Sequence, residues 1–270
     1  MFDDYLTLWG LVPDGVAFFT PRAGLLPVRR GGAPAMLKVA TEPEEMHGGL
    51  LMDWWDGSGA ARVLAMSGPA LLLERALGER SLTHYARNGR DDEATRIICE
   101  VVGKLHAPRA KPLPEGLVPL DIWFEALAPM AASVGGVLVR CAKIAQTLLP
   151  NQREIWPLHG DVHHDNVLDF GSRGWLVIDP KRLIGDRGFD YANLFCNPDM
   201  EEPWHRVAVL PERFRSRLAI VAENARLERA RLLEWIIAYT GLSAAWCIGD
   251  GLSAEVDLRV AELALAELDR

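Results

Sequence analysis

The sequence predicts an α+β chain of two unequal lobes, a small strand-rich lobe over residues 1–76 and a larger helical lobe over 77–270. Three observations predict it. Up to about residue 75 the chain breaks into short apolar runs divided by Pro and Gly. From about residue 79 the apolar residues recur at helical spacing. Inside that helical stretch one segment, LHGDVHHDNVLDFGSRGWLVID (158–179), returns to a strand pattern.

The first lobe reads as five strands and one helix. VAFF (16–19), LLPVR (25–29) and AMLKVA (35–40) are apolar runs parted by Pro21, Gly24 and the Gly31-Gly32 pair. A short helix follows Pro43, from Glu44 to Trp55, weakened by Gly48 and Gly49. ARVLAM (61–66) and ALLLER (70–75) complete the set, with Ser67-Gly68-Pro69 turning between them.

In the second lobe, Asp91 to Ala107 is a helix with acids in its first turn, an apolar stripe through Ile97, Ile98, Val101, Val102 and Leu105, and Pro108 as its stop. Helical patterns return near 121–132, 136–148, 211–222, 228–247 and 253–268. Between them VLDF and WLVID form a hairpin closed by GSRG.

Composition narrows the function. A net charge of -8 argues against nucleic acid as a partner, which would need basic clusters. It is compatible with a cationic small molecule, and on charge alone a plain soluble surface is the better account. No unbroken apolar run reaches the roughly 20 residues of a membrane span, and Asp3 and Asp4 stand where a signal peptide would carry positive charge. The expectation is a cytoplasmic protein with no membrane partner. The four cysteines form no CxxC pair, so neither a zinc site nor a redox motif is indicated, and Cys99 and Cys247 sit in apolar helical patterns as buried thiols.

The segment from His159 to Asp165 holds three histidines and two aspartates, which raises two readings. As a metal site, His159 and His163 would have to face one way, as they would on a helix. Gly160 and the turn-favouring Asp165-Asn166 argue for a loop instead, and the other histidines (His47, His84, His106, His205) are scattered. As a phosphoryl-transfer loop, the segment needs a carboxylate for the attacking hydroxyl, an amide and a second carboxylate for Mg²⁺, and a strand lysine for phosphates. The kinase loop H-R-D-L-x-x-x-N is matched by His159-Gly160-Asp161-Val162-His163-His164-Asp165-Asn166, with a hairpin after it and Asp179 at the hairpin's end.

With these residues in place, the sequence resembles the aminoglycoside phosphotransferases, small-molecule kinases whose signature is H-G-D-x-H-x-x-N, and within them it looks most like the streptomycin 6-phosphotransferases. The stretches LPVRRGGAPAMLKVA (26–40), WWDGSGAARVLA (54–65), the loop and hairpin, GFDYANLFCNPD (188–199) and WIIAYTGLSAAWCIGDG (235–251) carry the likeness. The resemblance implies a protein-kinase-like bilobal fold, with a small five-stranded antiparallel N-lobe bearing one helix and a mainly helical C-lobe. It implies ATP and Mg²⁺ as cofactors and a cationic amino-sugar as substrate, phosphorylated on a hydroxyl, the 6-hydroxyl if streptomycin. Another small alcohol or cationic antibiotic is the alternative substrate.

The implied roles follow residue by residue. Asp161 is the base, and Asn166 and Asp179 are the hard oxygen ligands of Mg²⁺. His159 braces the loop. Lys38, alone in an apolar strand, holds phosphates and pairs with Glu45, or with Glu44 if the helix phase differs; otherwise it is a lysine on a solvated strand face. Backbone groups from Glu74 to Ala76 read adenine. FFTPRAG (18–24) replaces the usual glycine-rich loop. Asp190 anchors the catalytic loop, and Lys181 and Arg182 either touch phosphates or point to solvent. Acids at Asp186, Asp190, Asp199, Glu201, Glu202, Asp250, Glu255 and Asp257 either line an amino-sugar site or end solvated helices.

Overall fold

A computed structural model gives the structure, describing residues 1–42, 48–200, 202 and 204–270. The chain begins with α1 (Asp3–Trp9), β1 (Leu11–Pro13), β2 (Phe18–Phe19), β3 (Ala23–Arg30) and β4 (Ala33–Ala40). It continues with α2 (Gly48–Trp55), β5 (Val63–Ser67) and β6 (Ala70–Glu74). These strands make one antiparallel sheet in the order β1-β3-β4-β6-β5, with β2 added beside β3. Gly31 (φ +55°) and Gly32 (φ +84°) form the two-residue turn between β3 and β4, whose left-handed backbone matches the twist of the strands it joins.

Strand parity positions the first functional residue. Ala35, Leu37 and Val39 of β4 are buried with Leu26, Val28, Ala70 and Leu72 on one face of the sheet. Phe2, Tyr5, Leu6 and Trp9, from and just before α1, pack against that face. Lys38 alternates with these residues and so projects from the opposite face, toward the second lobe.

The sheet has six strands among the described residues where the sequence suggested five, and α1 was not anticipated. β1 is only three residues long, ends in Pro13 and lies at the sheet edge, where a residue without an N–H is tolerated. Of the predicted helix from Glu44 to Trp55, the described part spans Gly48–Trp55. Glu44, Glu45 and His47 lie outside the described residues.

The second lobe contains α3 (Leu82–Arg87), α4 (Asp91–Leu105), β7 (Val118–Pro119), α5 (Leu120–Trp123), α6 (Leu127–Val134) and α7 (Val137–Leu148). After these come β8 (Ile155–Leu158), β9 (Val167–Asp169), β10 (Trp175–Val177) and β11 (Leu183–Asp186). Three long helices follow, α8 (Pro211–Ala225), α9 (Arg229–Gly249) and α10 (Glu255–Leu268). Every helix predicted for this lobe is present, the one at 121–132 divided into α5 and α6. β9 and β10 are the expected hairpin. A small sheet β7-β11-β8 was not foreseen; its strands are two to four residues long. α9 is long and apolar enough by composition to cross a membrane, yet 72% of that stretch is buried inside the lobe, and Leu232 to Ala245 run through its core.

The lobes are joined through the β9–β10 hairpin. The Gly78 N–H donates to the Asp169 carbonyl at 2.9 Å. A Cβ on Gly78 would fall 2.0 Å from Asp169 Cγ, so the linker can pass this closely only as glycine. Arg80 grips the Asp169 carboxylate with two hydrogen bonds of 2.7 and 2.8 Å, which holds its pKa down at about 2. Arg173, in the hairpin turn, pairs with Glu74 and donates to the Gly57 carbonyl at 2.6 Å. Val177 exchanges hydrogen bonds with Gly59 and Ala61, each 2.9 Å.

Candidate active site

The loop from His159 to Asn166 leaves β8 and enters β9. Gly160 takes φ +79°, and a Cβ there would approach Leu183 Cδ1 of β11 to 2.6 Å, so both backbone and space require glycine at the centre of H-G-D. The buried carboxylate of Asp190 accepts from the His159 N–H (3.0 Å) and the Gly160 N–H (2.7 Å), and His106 Nε2 donates to it at 2.8 Å. Asp190 therefore fixes the start of the loop from below.

His159 is fully buried and stacked on Trp55 at 6.2 Å between ring centres. Its Nε2–H donates to the Ile178 carbonyl (2.8 Å) and its Nδ1 accepts from the Asp161 N–H (3.2 Å). Burial pushes its pKa below the ordinary histidine value, which favours the neutral ring that this donor–acceptor pair needs.

The other two histidines point elsewhere. His163 Nδ1 accepts from the Asp165 N–H at 3.4 Å, and its Nε2 lies 3.9 Å from Asp161. His164 is buried, and the desolvated site lowers its pKa well below the usual value. Among the described residues no three His, Cys, Asp or Glu side chains converge as metal ligands. Of the three, His159 is the one whose two ring nitrogens both hold the backbone, and it braces the loop.

One edge gathers Lys38 of β4, Asp161 and Asn166 of the loop, and Asp179 just beyond β10. Asp161 Oδ1 accepts from Asn193 Nδ2 at 2.8 Å, and its Oδ2 lies 3.6 Å from Lys181 Nζ. Asn166 Nδ2 donates to the Asp161 carbonyl at 2.9 Å, which leaves the amide oxygen as the end able to meet a cation. Asp179 has φ +66°, a sparsely populated conformation for a residue with a Cβ. Its carboxylate is 36% exposed and pairs with Lys38. One carboxylate and one amide oxygen, without thiolate or imidazole, suit a hard cation such as Mg²⁺.

The linker side is apolar. Met52, Ala61, Leu73, Phe170 and Leu176 form a small core, with Leu71, Ala76, Leu168 and Ile178 packed on it beside the hairpin. Such a surface can receive the flat face of a purine. The Glu74 side chain is committed to the Arg62 N–H (2.6 Å) and Arg173, and the Glu74 N–H donates to the Arg62 carbonyl at 3.0 Å. Glu45, expected to pair with Lys38, cannot be placed because it lies outside the described residues.

Several acids expected as possible substrate contacts or solvated helix ends are neither. Asp186 is buried, accepting from the Arg153 N–H (2.9 Å), the Gly188 N–H (2.9 Å) and Arg231 (2.7 Å). Asp199 is buried and accepts from the Val207 N–H at 2.9 Å. Asp257 is buried in α10 beside Cys247, a thiol that is only partly buried. Acids are costly to bury, and each finds backbone donors or neighbours that the sequence does not reveal. Glu202 pairs with Arg87 and His205, while Asp250 and Glu255 remain exposed.

Two residues join the site unforeseen in role. Lys181 stands beside Asp161, whereas Arg182 turns away to the Gly116 carbonyl (3.0 Å). Asn193 carried no signal, being one amide within the apolar run YANLF.

The chain has relatives in sequence and in fold. The sequence fits the family described as aminoglycoside/hydroxyurea antibiotic resistance kinase over residues 8–251. The chain belongs to that family. It is 52% identical to a streptomycin 3''-kinase of Klebsiella pneumoniae, covering 97% of this chain and 99% of that one. A streptomycin 6-kinase of Streptomyces griseus is 30% identical, over 96% of this chain and 85% of the relative. The fold of this resistance kinase is shared with a thermostable mutant of the aminoglycoside phosphotransferase APH(4)-Ia, solved with ADP and hygromycin B. That pair is 14% identical with a TM-score of 0.68, over 97% of each chain. The kinase-like bilobal α+β fold expected from the sequence is thus the fold of this family member.

Proposed function

We propose that the chain is an ATP-dependent O-phosphotransferase acting on streptomycin, and that it inactivates the antibiotic by modifying its 3''-hydroxyl. The observation that carries the reading is the meeting of Lys38, Asp161, Asn166 and Asp179 at one partly exposed edge, in a chain 52% identical to a streptomycin 3''-kinase. The 6-hydroxyl expected from the sequence is supported by relatives near 30% identity, and the more similar relative favours 3''.

The residues divide the work as follows. Lys38 exchanges its contact with Asp179 for the nucleotide's phosphates. Asn166 and Asp179 are the residues that would hold Mg²⁺, which would supply positive charge against the phosphates. Asp161 Oδ2, the carboxylate oxygen not taken by Asn193, accepts the proton of the attacking hydroxyl. The new O–P bond forms as the bond to the ADP leaving group breaks. Catalysis comes from placement and from fixed charge.

The test incubates the protein with Mg-ATP and streptomycin. We expect a mass gain of one phosphoryl group, placed by fragmentation on the amino-sugar ring that carries the 3''-hydroxyl. A gain on the guanidinium-bearing ring would return the assignment to the 6-hydroxyl. ATP turnover on another alcohol, with streptomycin unmodified, would sink the substrate and leave the kinase.

A further inference from the structure

We infer that Lys181 is a positioning residue for phosphoryl transfer, holding Asp161 so that Oδ2 faces the acceptor hydroxyl. The inference rests on Asp161 being the base, as proposed above.

Asp161 is restrained on two sides of different character. Its Oδ1 is tied to Asn193, whose own amide oxygen accepts from Asn197 Nδ2 at 2.8 Å. The Asn197 carbonyl in turn accepts from Arg217 at 2.6 Å, and Arg217 is locked to Asp91 in a buried pair. That side is a run of hydrogen bonds ending in the core. On the other side stands a single flexible cation, Lys181, at 3.6 Å from Oδ2. This separation is an ion pair too long for a good hydrogen bond, so Oδ2 keeps its lone pairs for an incoming hydroxyl while the charge still orients the carboxylate. A partial rotation of the carboxylate about its last bond would carry both oxygens off their partners, and the pairing of Asn193 with one and Lys181 with the other opposes it.

The lysine stem is itself placed. The Lys181 N–H donates to the His159 carbonyl at 2.7 Å, which couples it to the loop that carries Asp161. A Cβ on residue 160 would come within 3.3 Å of Lys181 Cβ, so Gly160 also leaves room for this stem. The two lysines of the site therefore address different aspartates, Lys38 with Asp179 and Lys181 with Asp161. Phosphates and metal replace the first pairing; the second persists into the reacting complex.

The experiment compares K181M, K181R, D161N and the D161N/K181M double variant. Readouts are kcat, both KM values, AMP-PNP affinity and melting temperature. We expect K181M to lower kcat about a hundredfold, with each KM and the AMP-PNP affinity within about threefold and melting unchanged. K181R should recover at least about a tenth of the wild-type kcat. Because Lys181 acts through Asp161, K181M should cost less than about threefold in the D161N background, followed over hours by radiolabel transfer. K181M retaining more than half of the wild-type kcat, or the same penalty with and without Asp161, overturns the inference. Loss of nucleotide affinity in K181M overturns it too, by assigning the lysine to binding. Full activity in D161N would instead overturn the base assignment, so the two failures are distinguishable.

Discussion

Asp190 and Asp161 hold opposite faces of one loop, and they are held in opposite ways. Asp190 is 1% exposed and takes three hydrogen bonds, from two loop amides and His106. Asp161 is 29% exposed at its side chain and takes one amide hydrogen bond, with Lys181 and His163 at the longer distances of 3.6 and 3.9 Å. The buried carboxylate is saturated by donors that never leave. The exposed one keeps an oxygen available. Anchoring the loop on one carboxylate while it carries the other beyond the bend at Gly160 holds Asp161 in place and leaves its second oxygen without a short hydrogen bond.

The largest effect should come from the exposed member. Asp161→Asn keeps the shape and the contact with Asn193 while removing the proton acceptor, so kcat should fall by about a thousandfold or more. Melting temperature should stay near that of the wild type. A variant that loses stability in step with activity would mean that the two aspartates are not divided as described.

Asp190→Ala inverts this pattern. It leaves the His159 and Gly160 amides and His106 Nε2 without their acceptor in a site closed to water, at a cost of about 3 kcal/mol. Urea unfolding should report that loss directly, and activity should drop with the folded fraction and with the disordered loop. Unchanged stability would show that the loop amides find another partner.

Asp257 tests whether burial alone defines the saturated class. It is as buried as Asp190, yet its Oδ1 has no hydrogen-bond partner among the described residues, and Cys196, Ser243 and Cys247 face it in place of loop amides. Desolvation raises its pKa from 3.8 to about 6. The folded state therefore holds its proton longer than the unfolded state does. Stability is full below pH 3.8 and declines as pH rises to about 6, by roughly 3 kcal/mol at about 1.4 kcal/mol per unit. Asp257→Asn should remove this slope, so its stability relative to wild type should grow between pH 4 and pH 7. Parallel stability curves for the two proteins would refute the assignment.

How much of this was legible in the sequence depends on whether a residue works locally. Lys38 could be found because strand alternation isolates it from Leu37 and Val39. Asp161, Asn166 and Asp179 could be found because one loop and one hairpin fix their spacing. The acids at 186, 199 and 257 read as lining or solvated because the sequence does not show that Arg153 and Arg231 reach Asp186 from 33 and 45 positions away, or that Val207 and Cys247 fold back onto Asp199 and Asp257. Asp91 is the helix-start acid that it reads as, and it is also the partner of Arg217, 126 positions away, which the sequence does not show. The helix α1 is too short to show periodicity, and its purpose appears only when the sheet face it covers exists.

Asn193 is the smallest and most discriminating case, because it connects the two classes. Its amide nitrogen serves the exposed Asp161, while its oxygen is fixed by Asn197 in the buried network that reaches Arg217 and Asp91. Asn193→Ala would free Asp161 Oδ1 without touching Lys181 or the loop amides. A lost hydrogen bond to a charged group is worth about 1.5 kcal/mol, so kcat should fall roughly tenfold through misorientation of the base. Asn193→Asp keeps the shape but sets a carboxylate against a carboxylate, and should be worse than Ala. The Asn197 Nδ2 donor holds one oxygen of the introduced group in place, so its second oxygen has to face Asp161. Wild-type kcat in both variants would mean that Asp161 does not owe its orientation to Asn193.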